Sequence, residues 1–257
     1  MKAILVLCTA AACAWAQPSI TPPQIGFAQD KTHLLRSVLG VAGNFQLGDP
    51  AGTEVISASF SGTLGFQKTD SALLVFDATG NVIFSADAPA GPALFAFTEK
   101  ANVGLAYLLS SQALFEWSGI DLLTLPFDTD ALSGKVLSIG QPSSAYAALL
   151  VQRDDGLWML RVCLSSGAIE AARALPGMAA PAFLLSDGGI LYSDADGIAV
   201  QHADGTEAHL KSRLARDKHV QQMGAGWLEA RDDNGRRIAI RVQPGREQVY
   251  LLPEAGQ

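Results

Sequence analysis

The side chains best suited to chemistry in this sequence are histidines, and their spacing limits what they could bind. None of the four stands in a His-Glu-x-x-His pattern, in which two rings on one helix face hold zinc. His202 and His209 flank the turn Asp204-Gly205 and could approach each other across a hairpin as a metal pair. Neighbouring strands also commonly turn such rings toward solvent, and that is the arrangement we expect here. No metal site is therefore predicted.

Three acidic turns could supply oxygen ligands or an acid and base pair. Asp194-Ala195-Asp196-Gly197 resembles the start of a calcium loop, because Ca²⁺ takes carboxylate oxygens at alternating positions. The further oxygens and the closing glutamate of such a loop are missing, so we expect a plain turn. Asp154-Asp155 and Asp232-Asp233 are also turn-like, and adjacent residues on a tight turn do not face one substrate as general acid and base.

The sequence offers little to support nucleophilic catalysis. No Gly-x-Ser-x-Gly elbow is present, so the strained turn that exposes a hydrolase serine is missing. Cys163 lies within Leu160–Leu164, which has the composition of a strand, and we expect it to be a small buried hydrophobic residue. No Cys-x-x-Cys pair and no phosphate-binding glycine loop occur, so the sequence predicts no cofactor.

Charge is distributed unevenly along the chain. The formal net charge is −7, which argues against nucleic acid as a partner, because phosphate binding favours a basic surface. Residues 49–210 contain 6 Lys and Arg against 18 Asp and Glu, whereas residues 211–257 contain 9 against 6. The last segment therefore holds a candidate basic patch for an acidic partner or a polysaccharide, formed by Arg213, Arg216, Arg231, Arg237 and Arg241.

Two other interpretations of this basic segment stay open. The arginines could simply lie on a solvated outer strand and its loop, or they could pair with the acidic early part of the chain as a ring closes. Strand alternation puts Arg237, Ala239 and Arg241 on one face and Ile238 and Ile240 on the other. The arginines are therefore expected to face outward or toward a neighbouring sheet.

The first residues of the chain have the pattern of an export signal. Met1-Lys2 precedes an apolar run that ends in Ala14-Trp15-Ala16, so a signal peptide over residues 1–16 with cleavage before Gln17 is expected. A lipoprotein attached at Cys13 is the less favoured alternative. No later run reaches the 18 consecutive apolar residues of a membrane span, so the predicted location is secreted or periplasmic.

The elements that must position any site are short strands separated by glycine turns. In Pro181–Lys211, three turns divide the chain into four short segments rich in Ile, Leu and Val. Asp-Gly between apolar runs is a strong hairpin signal, because glycine accepts the positive φ of tight turns. Many segments are short apolar runs without alternation, which is typical of strands covered on both faces. Similar four-strand groups begin near Glu54, Ala93, Val136, Pro181 and His219.

This period and turn chemistry resemble the β-propellers of the WD40, kelch and YncE-like kind, over roughly Glu54–Leu252. The resemblance implies an all-β fold of five or six four-stranded antiparallel blades, in a domain covering residues 54–257. Residues 17–53 are expected to be a lead-in, whose segment His33–Leu47 closes the ring on the last blade or belongs to a sixth blade. The Ala-rich stretches Ala168–Ala174 and Leu210–Lys218 could instead be short helices.

From fold and composition we expect an exported binding or interaction module. Loops at one end of the ring would form the ligand surface, since loops on a rigid scaffold usually carry recognition. The expected partner is a protein or a glycan of unknown identity. The alternative is a cell-envelope hydrolase, resembling a lactonase or a glycan-cleaving enzyme, with carboxylates or a metal at the central channel. Convergence of several carboxylates or histidines at the channel mouth would favour that alternative.

Overall fold

The computed structural model describes residues 22–51, 54–98, 103–216 and 220–254, and all regular structure in these ranges is β-strand. The 23 strands pair in antiparallel fashion with their neighbours in the chain. Their bounds are β1 Gln24–Gln29, β2 Leu35–Val41, β3 Asn44–Ala51, β4 Ser57–Phe60, β5 Leu64–Lys68, β6 Ala72–Asp77, β7 Val82–Asp87, β8 Ala93–Phe97, β9 Gly104–Leu108, β10 Ala113–Trp117, β11 Leu122–Leu125, β12 Lys135–Gly140, β13 Tyr146–Arg153, β14 Gly156–Cys163, β15 Ile169–Ala174, β16 Ala179–Leu184, β17 Ile190–Ser193, β18 Ile198–Gln201, β19 Glu207–Leu210, β20 Gln221–Gly224, β21 Trp227–Arg231, β22 Arg237–Arg241 and β23 Gln248–Leu251.

Aspartate-centred turns explain why the strands end where they do. At the β6–β7 turn, Oδ1 of Asp77 accepts hydrogen bonds from the backbone N–H groups of Thr79 and Asn81, both at 2.9 Å. Gly80 completes this turn with a φ of 87°, a region that residues with a Cβ enter at a cost. Asp232 repeats the arrangement between β21 and β22. Local side-chain bonds of this kind stop a strand and reverse it.

The strands form six sheets arranged as the blades of a β-propeller. The first blade contains β1–β3, and the next five contain β4–β7, β8–β11, β12–β15, β16–β19 and β20–β23. In these five blades the first strand is innermost and the fourth is outermost, as the exposed side chains of β7 and β15 show. The predicted all-β propeller is confirmed, and its blade number is six.

The first blade differs from the others in strand number and direction. It has three strands, and β1 ends at the end of the ring where β4, β8 and β20 begin. Its strands therefore correspond to the second, third and fourth strands of an ordinary blade. The innermost strands β4 and β20 meet directly, because the Ser59 hydroxyl donates to the Gln222 carbonyl at 3.2 Å. The lead-in over residues 17–53 thus contributes its own sheet, and the last blade is completed by β23.

The hydrophobic core consists of six clusters, one at each interface between neighbouring blades. Between the second and third blades, for example, Phe66 stacks on Phe95 with ring centroids 5.3 Å apart. Every blade except its outer strand is therefore covered on both faces. This arrangement is the physical reason for the apolar runs without alternation in the sequence.

The two stretches considered as helices are not helical where the structure describes them. Ile169–Ala174 of the first stretch forms β15, and Leu210 of the second is the last residue of β19. Between β19 and β20 the chain is irregular up to residue 216, and 217–219 lie outside the described residues. The predicted signal peptide and Cys13 also lie outside them. The described ranges hold no helix of the length and hydrophobicity that crossing a membrane requires.

Candidate functional site

A cavity of about 440 Å³ opens at the end of the ring where the inner strands begin. All six blades line it, through Gln29 of β1, Ser57 of β4, Leu94 of β8, Ser138 of β12, Phe183 of β16 and Gln221 of β20. Only the central channel of a propeller touches every blade, so the cavity is the mouth of that channel. We refer to it as the channel mouth.

One wall of the channel mouth is apolar. Pro92, Leu94, Phe95 and Leu109 line it from the third blade, and Phe183 lines it from the fifth, beyond Ser138 of the fourth. Leu94 is half-buried, whereas the two phenylalanine rings are almost fully buried. This wall offers apolar contact area to a bound group and no charged side chain.

The facing wall contains a carboxylate from the last blade, Glu229, which is buried and fully engaged. Its Oε1 lies 2.8 Å from Nε and 2.7 Å from Nη2 of Arg237, a guanidinium that is only 1% exposed. Its Oε2 accepts from Nε2 of Gln221 at 2.8 Å and from the backbone N–H of Gln29 at 3.3 Å. Glu229 therefore joins the last blade to the first across the ring closure.

Asp30, at the end of β1, is the second carboxylate of this wall and is held in the same way. Oδ2 accepts from Nε of Arg36 at 2.6 Å, and Oδ1 accepts from the backbone N–H groups of Thr32 and Leu34 and from the Thr32 hydroxyl. Burial opposes the charged form, but these hydrogen bonds outweigh it and hold the pKa of Asp30 well below its usual range. Asp30 is thus a fixed anion with its acceptor positions filled.

Two serines place hydroxyl groups in the channel mouth. Ser57 Oγ accepts from the backbone N–H of Ala93 at 2.9 Å, and Ser138 Oγ accepts from that of Leu184 at 3.0 Å. Through its oxygen, each serine therefore links its own inner strand to the inner strand of the next blade. Within the described residues neither hydroxyl hydrogen has an acceptor, which leaves both free to donate into the cavity.

The five arginines of the predicted basic patch do not form one surface. Arg213 and Arg216 are exposed at the channel-mouth end, where the Arg231 carbonyl accepts from the N–H of Ala215 at 2.9 Å. Arg231 lines the cavity itself. Arg237 is buried against Glu229. Arg241 lies at the opposite end of β22, where its guanidinium binds Gln243 and sits 5.7 Å from the ring of Trp227.

Strand alternation in β22 explains this separation. Arg237 and Arg241 do share a face with Ala239, as the sequence indicated, and that face packs toward the first blade. A covered face cannot serve as a docking surface. Only Arg213, Arg216 and Arg231 of the predicted patch stay together and accessible, and they do so beside the channel mouth.

The two histidines considered as a metal pair are in different environments. The ring of His202 is buried, with Nδ1 3.0 Å from Oδ2 of Asp187 and Nε2 2.7 Å from Oε1 of Glu247. Burial disfavours its charged form, but the two carboxylates outweigh that effect and raise the pKa of His202. The expectation of a solvent-facing ring is therefore wrong for His202 and right for His209, which is 58% exposed.

His202 is not available as a metal ligand, because Asp187 and Glu247 already occupy both of its ring nitrogens. Through its contact with Glu247, His202 links the fifth blade to the sixth at the end of the ring opposite the channel mouth. Among the residues the structure describes, no cluster of three histidine, cysteine or acidic side chains has the geometry to hold a metal ion.

The remaining candidates behave as turn or surface residues. Oδ1 of Asp194 accepts from the backbone N–H groups of Asp196 and Gly197, so the calcium-like sequence is a plain turn, as expected. Cys163 is half-buried rather than part of the core, and its Sγ lies 3.2 Å from Oγ of Ser165. Hydrogen bonds from Ser165 and Ser166 lower the pKa of the Cys163 thiol.

Solved structures support the architecture described above. A chain of the nidogen–laminin complex aligns at 12% identity with a TM-score of 0.57, covering 90% of this chain and 99% of that one. The Cps50 (Swd1) β-propeller domain of Myceliophteria thermophila aligns at 11% identity and 0.51, covering 92% and 90%. A lectin from Aleuria aurantia, solved with Fucα1-6GlcNAc, aligns at 10% identity and 0.53, covering 90% and 92%.

The protein is a six-bladed β-propeller. At these identities the likeness shows the fold alone. No protein-family model and no curated protein sequence matches the chain.

Sequence reasoning missed the residues that matter most at the channel mouth: Asp30, Ser57, Ser138 and Glu229. One signal was available for Glu229, because it stands inside the apolar strand Trp227–Arg231, where a buried charge demands a partner. The two serines carried no comparable signal. Their importance comes from lying on inner strands, and which strands are innermost depends on the closed ring.

Proposed function

We propose that the protein is an exported binding module that holds a protein segment or a glycan at its channel mouth. The observation that carries this proposal is the channel mouth itself, a cavity of about 440 Å³ with one apolar wall and one polar wall. Binding pockets for small groups have volumes of roughly 300–1,000 Å³ and combine apolar area with a few placed polar groups. The propeller supplies rigid strands behind both walls.

The state of the two carboxylates favours binding over hydrolysis. A hydrolase needs a carboxylate that is free to accept or donate a proton near the substrate. Glu229 is committed to Arg237 and Gln221, and Asp30 is committed to Arg36 and to its own turn. Asp30 therefore shapes the wall within the first blade, and Glu229 joins the last blade to the first.

The decisive experiment compares the wild-type protein with a channel-mouth variant on glycan and peptide arrays. Leu94→Asp places a charge on the apolar wall, and Leu123→Asp is its matched control, since Leu123 is exposed on the outer strand of the same blade. We expect ligands that Leu94→Asp loses and Leu123→Asp retains. Ligands that both variants retain would place recognition elsewhere, and cleavage of a bound glycan or ester would establish the hydrolase instead.

Export is tested separately. N-terminal sequencing of protein recovered from the medium or the periplasm should begin at Gln17. A lipid-modified Cys13 would show the lipoprotein, and an intact Met1 in the cytosolic fraction would contradict export.

A further inference from the structure

We propose that the group bound in the channel mouth is an apolar body carrying a carboxylate. A short arylalkanoic or branched-chain acid has this chemistry, either free or as the last residue of a peptide. This inference rests on the proposed function, because it names the ligand of the same site. It depends on three features of the cavity: its hydrogen-bonding groups, its charges and the positions of its two walls.

The cavity offers hydroxyl donors, whereas its two carboxylates are already paired. The hydroxyl hydrogens of Ser57 and Ser138 have no acceptor within the described residues, and Ser138 is almost completely buried at the cavity. The Nδ1 atom of His33 faces the side-chain amide nitrogen of Gln29 at 3.2 Å. That ring nitrogen must accept, so the neutral ring carries its hydrogen on Nε2 as a further donor. A ligand that complements such a lining must bring acceptors.

The unpaired charges of the lining are positive. Five titratable residues line the cavity, namely Asp30, Lys31, His33, Glu229 and Arg231. Both carboxylates are neutralised by guanidinium groups, those of Arg36 and Arg237. Within the described ranges no carboxylate lies at ion-pair distance from Lys31 or Arg231, although Arg231 Nη1 binds the Gly235 carbonyl at 2.9 Å.

This positive site is unusual for the molecule as a whole. The protein has a formal net charge of −7, yet Lys31, Arg231 and the adjoining exposed Arg213 and Arg216 gather at one end of the channel. Moreover, Nη1 of the buried Arg237, behind Glu229, has no hydrogen-bond partner in the described part of the chain. These cationic groups favour an anion at this end of the channel.

The apolar wall sets the rest of the ligand. A carboxylate alone would leave the half-buried Leu94 and Leu109 facing water, whereas an aryl or branched alkyl body would cover them. In a ring of six the third blade lies opposite the sixth, so Leu94 and Leu109 face Arg231 across the channel. The acid group and the apolar body would therefore point in opposite directions.

Calorimetry with paired probes tests this inference on the full mature chain. The probes are phenylpropionate and isocaproate, each with its primary amide, together with N-acetyl-Gly-Gly-Phe as free acid and as amide. A charge-assisted contact is worth about 1.5–3 kcal/mol, so we expect each amide to bind roughly tenfold to a hundredfold more weakly than its acid. Arg231→Gln and Lys31→Gln should reduce acid binding toward the level of the amide. Arg246→Gln, an exposed arginine beyond β22 at the other end of the ring, is the matched control and should change nothing.

Each outcome decides something. Binding of the free acids alone identifies a small molecule as the source, and binding of the peptide acid alone identifies a protein C-terminus; both support the inference. Amides that bind as tightly as their acids overturn it and leave the binding module in place. Failure of every probe also overturns it, whereas the array comparison of Leu94→Asp with Leu123→Asp decides the proposed function independently.

Discussion

Replacing Glu229 by glutamine should destabilise the protein far more than replacing an exposed glutamate. Glutamine keeps the shape of the side chain and the oxygen that accepts from Gln221, so the change removes charge with little change in packing. Arg237 then remains 1% exposed with no anion beside it. Isolated charges are strongly disfavoured in protein interiors, because water can no longer solvate them.

The size of the effect follows from the burial of the pair. Removing one member of a buried ion pair typically costs about 3–5 kcal/mol. For a domain of this size, 1 kcal/mol corresponds to a shift in Tm of about 2–4 °C, which predicts a decrease of roughly 6–20 °C. Glu170→Gln is the comparison. It breaks a surface ion pair in which Oε2 of Glu170 lies 3.3 Å from Nη2 of Arg161, a side chain that is 55% exposed. Such surface pairs contribute about 0–1 kcal/mol.

Urea unfolding of both variants at neutral pH measures the two free energies, with the slope of the transition as a check on two-state behaviour. The double variant Glu229→Gln/Arg237→Met provides a further test. Because it removes the stranded charge, it should be more stable than Glu229→Gln alone. If Glu229→Gln lost no more stability than Glu170→Gln, Arg237 would have to be hydrated in the folded protein, and the account of the ring closure given above would be refuted.

Three further predictions concern the other ring contacts and the thiol of Cys163. The pKa of His202 is raised in the folded protein, so the stabilisation by its charged form is fully present below about pH 6.5. This stabilisation is lost as the pH rises through the folded-state pKa. The free energy of unfolding should therefore decrease over that interval in the wild type and in His209→Gln, but not in His202→Gln. Gly26→Ala should lower the free energy of unfolding by about 1–3 kcal/mol or more, because a Cβ there would lie 1.6 Å from the Met223 carbonyl oxygen. Gly235→Asn, at an open turn with a φ of 77°, is the control and should change the melting temperature little. Cys163 should react with a thiol reagent in the folded protein, with Cys163→Ser as blank, and labelling only after unfolding would contradict its half-buried position.

Blade positions could be predicted from the sequence because turn chemistry is local. The predicted group start at Ala93 is the first residue of β8, and those at Glu54, Val136 and Pro181 lie within three residues of the first residues of β4, β12 and β16. Aspartate and glycine fix these turns through bonds that span a few residues. Nothing beyond the neighbouring strands is needed to specify them.

Closure of the ring could not be predicted, since it depends on residues far apart in the sequence. The first blade lacks an inner strand because β4 and β20 already meet, and β1 packs behind them through Gly26 and Gly224. A Cβ on Gly224 would lie 2.0 Å from the Ile25 carbonyl oxygen, so both strands need a glycine at this crossing. In the sequence these two glycines look like any others, and only the assembled ring gives them a role.

The excess of basic residues near the C-terminus shows why formal charge does not locate a site. Counting charges along residues 211–257 treats Arg237 and Arg231 as equivalent. Arg237 lies beside Arg231 on the neighbouring strand. The charge of Arg237 is neutralised inside the protein by Glu229, whereas Arg231 lines the cavity without a carboxylate partner. The other unpaired cation of the cavity, Lys31, comes from the opposite end of the chain. The electrostatic field at the channel mouth is therefore set by the charges that folding leaves unpaired, and ring closure determines which ones those are.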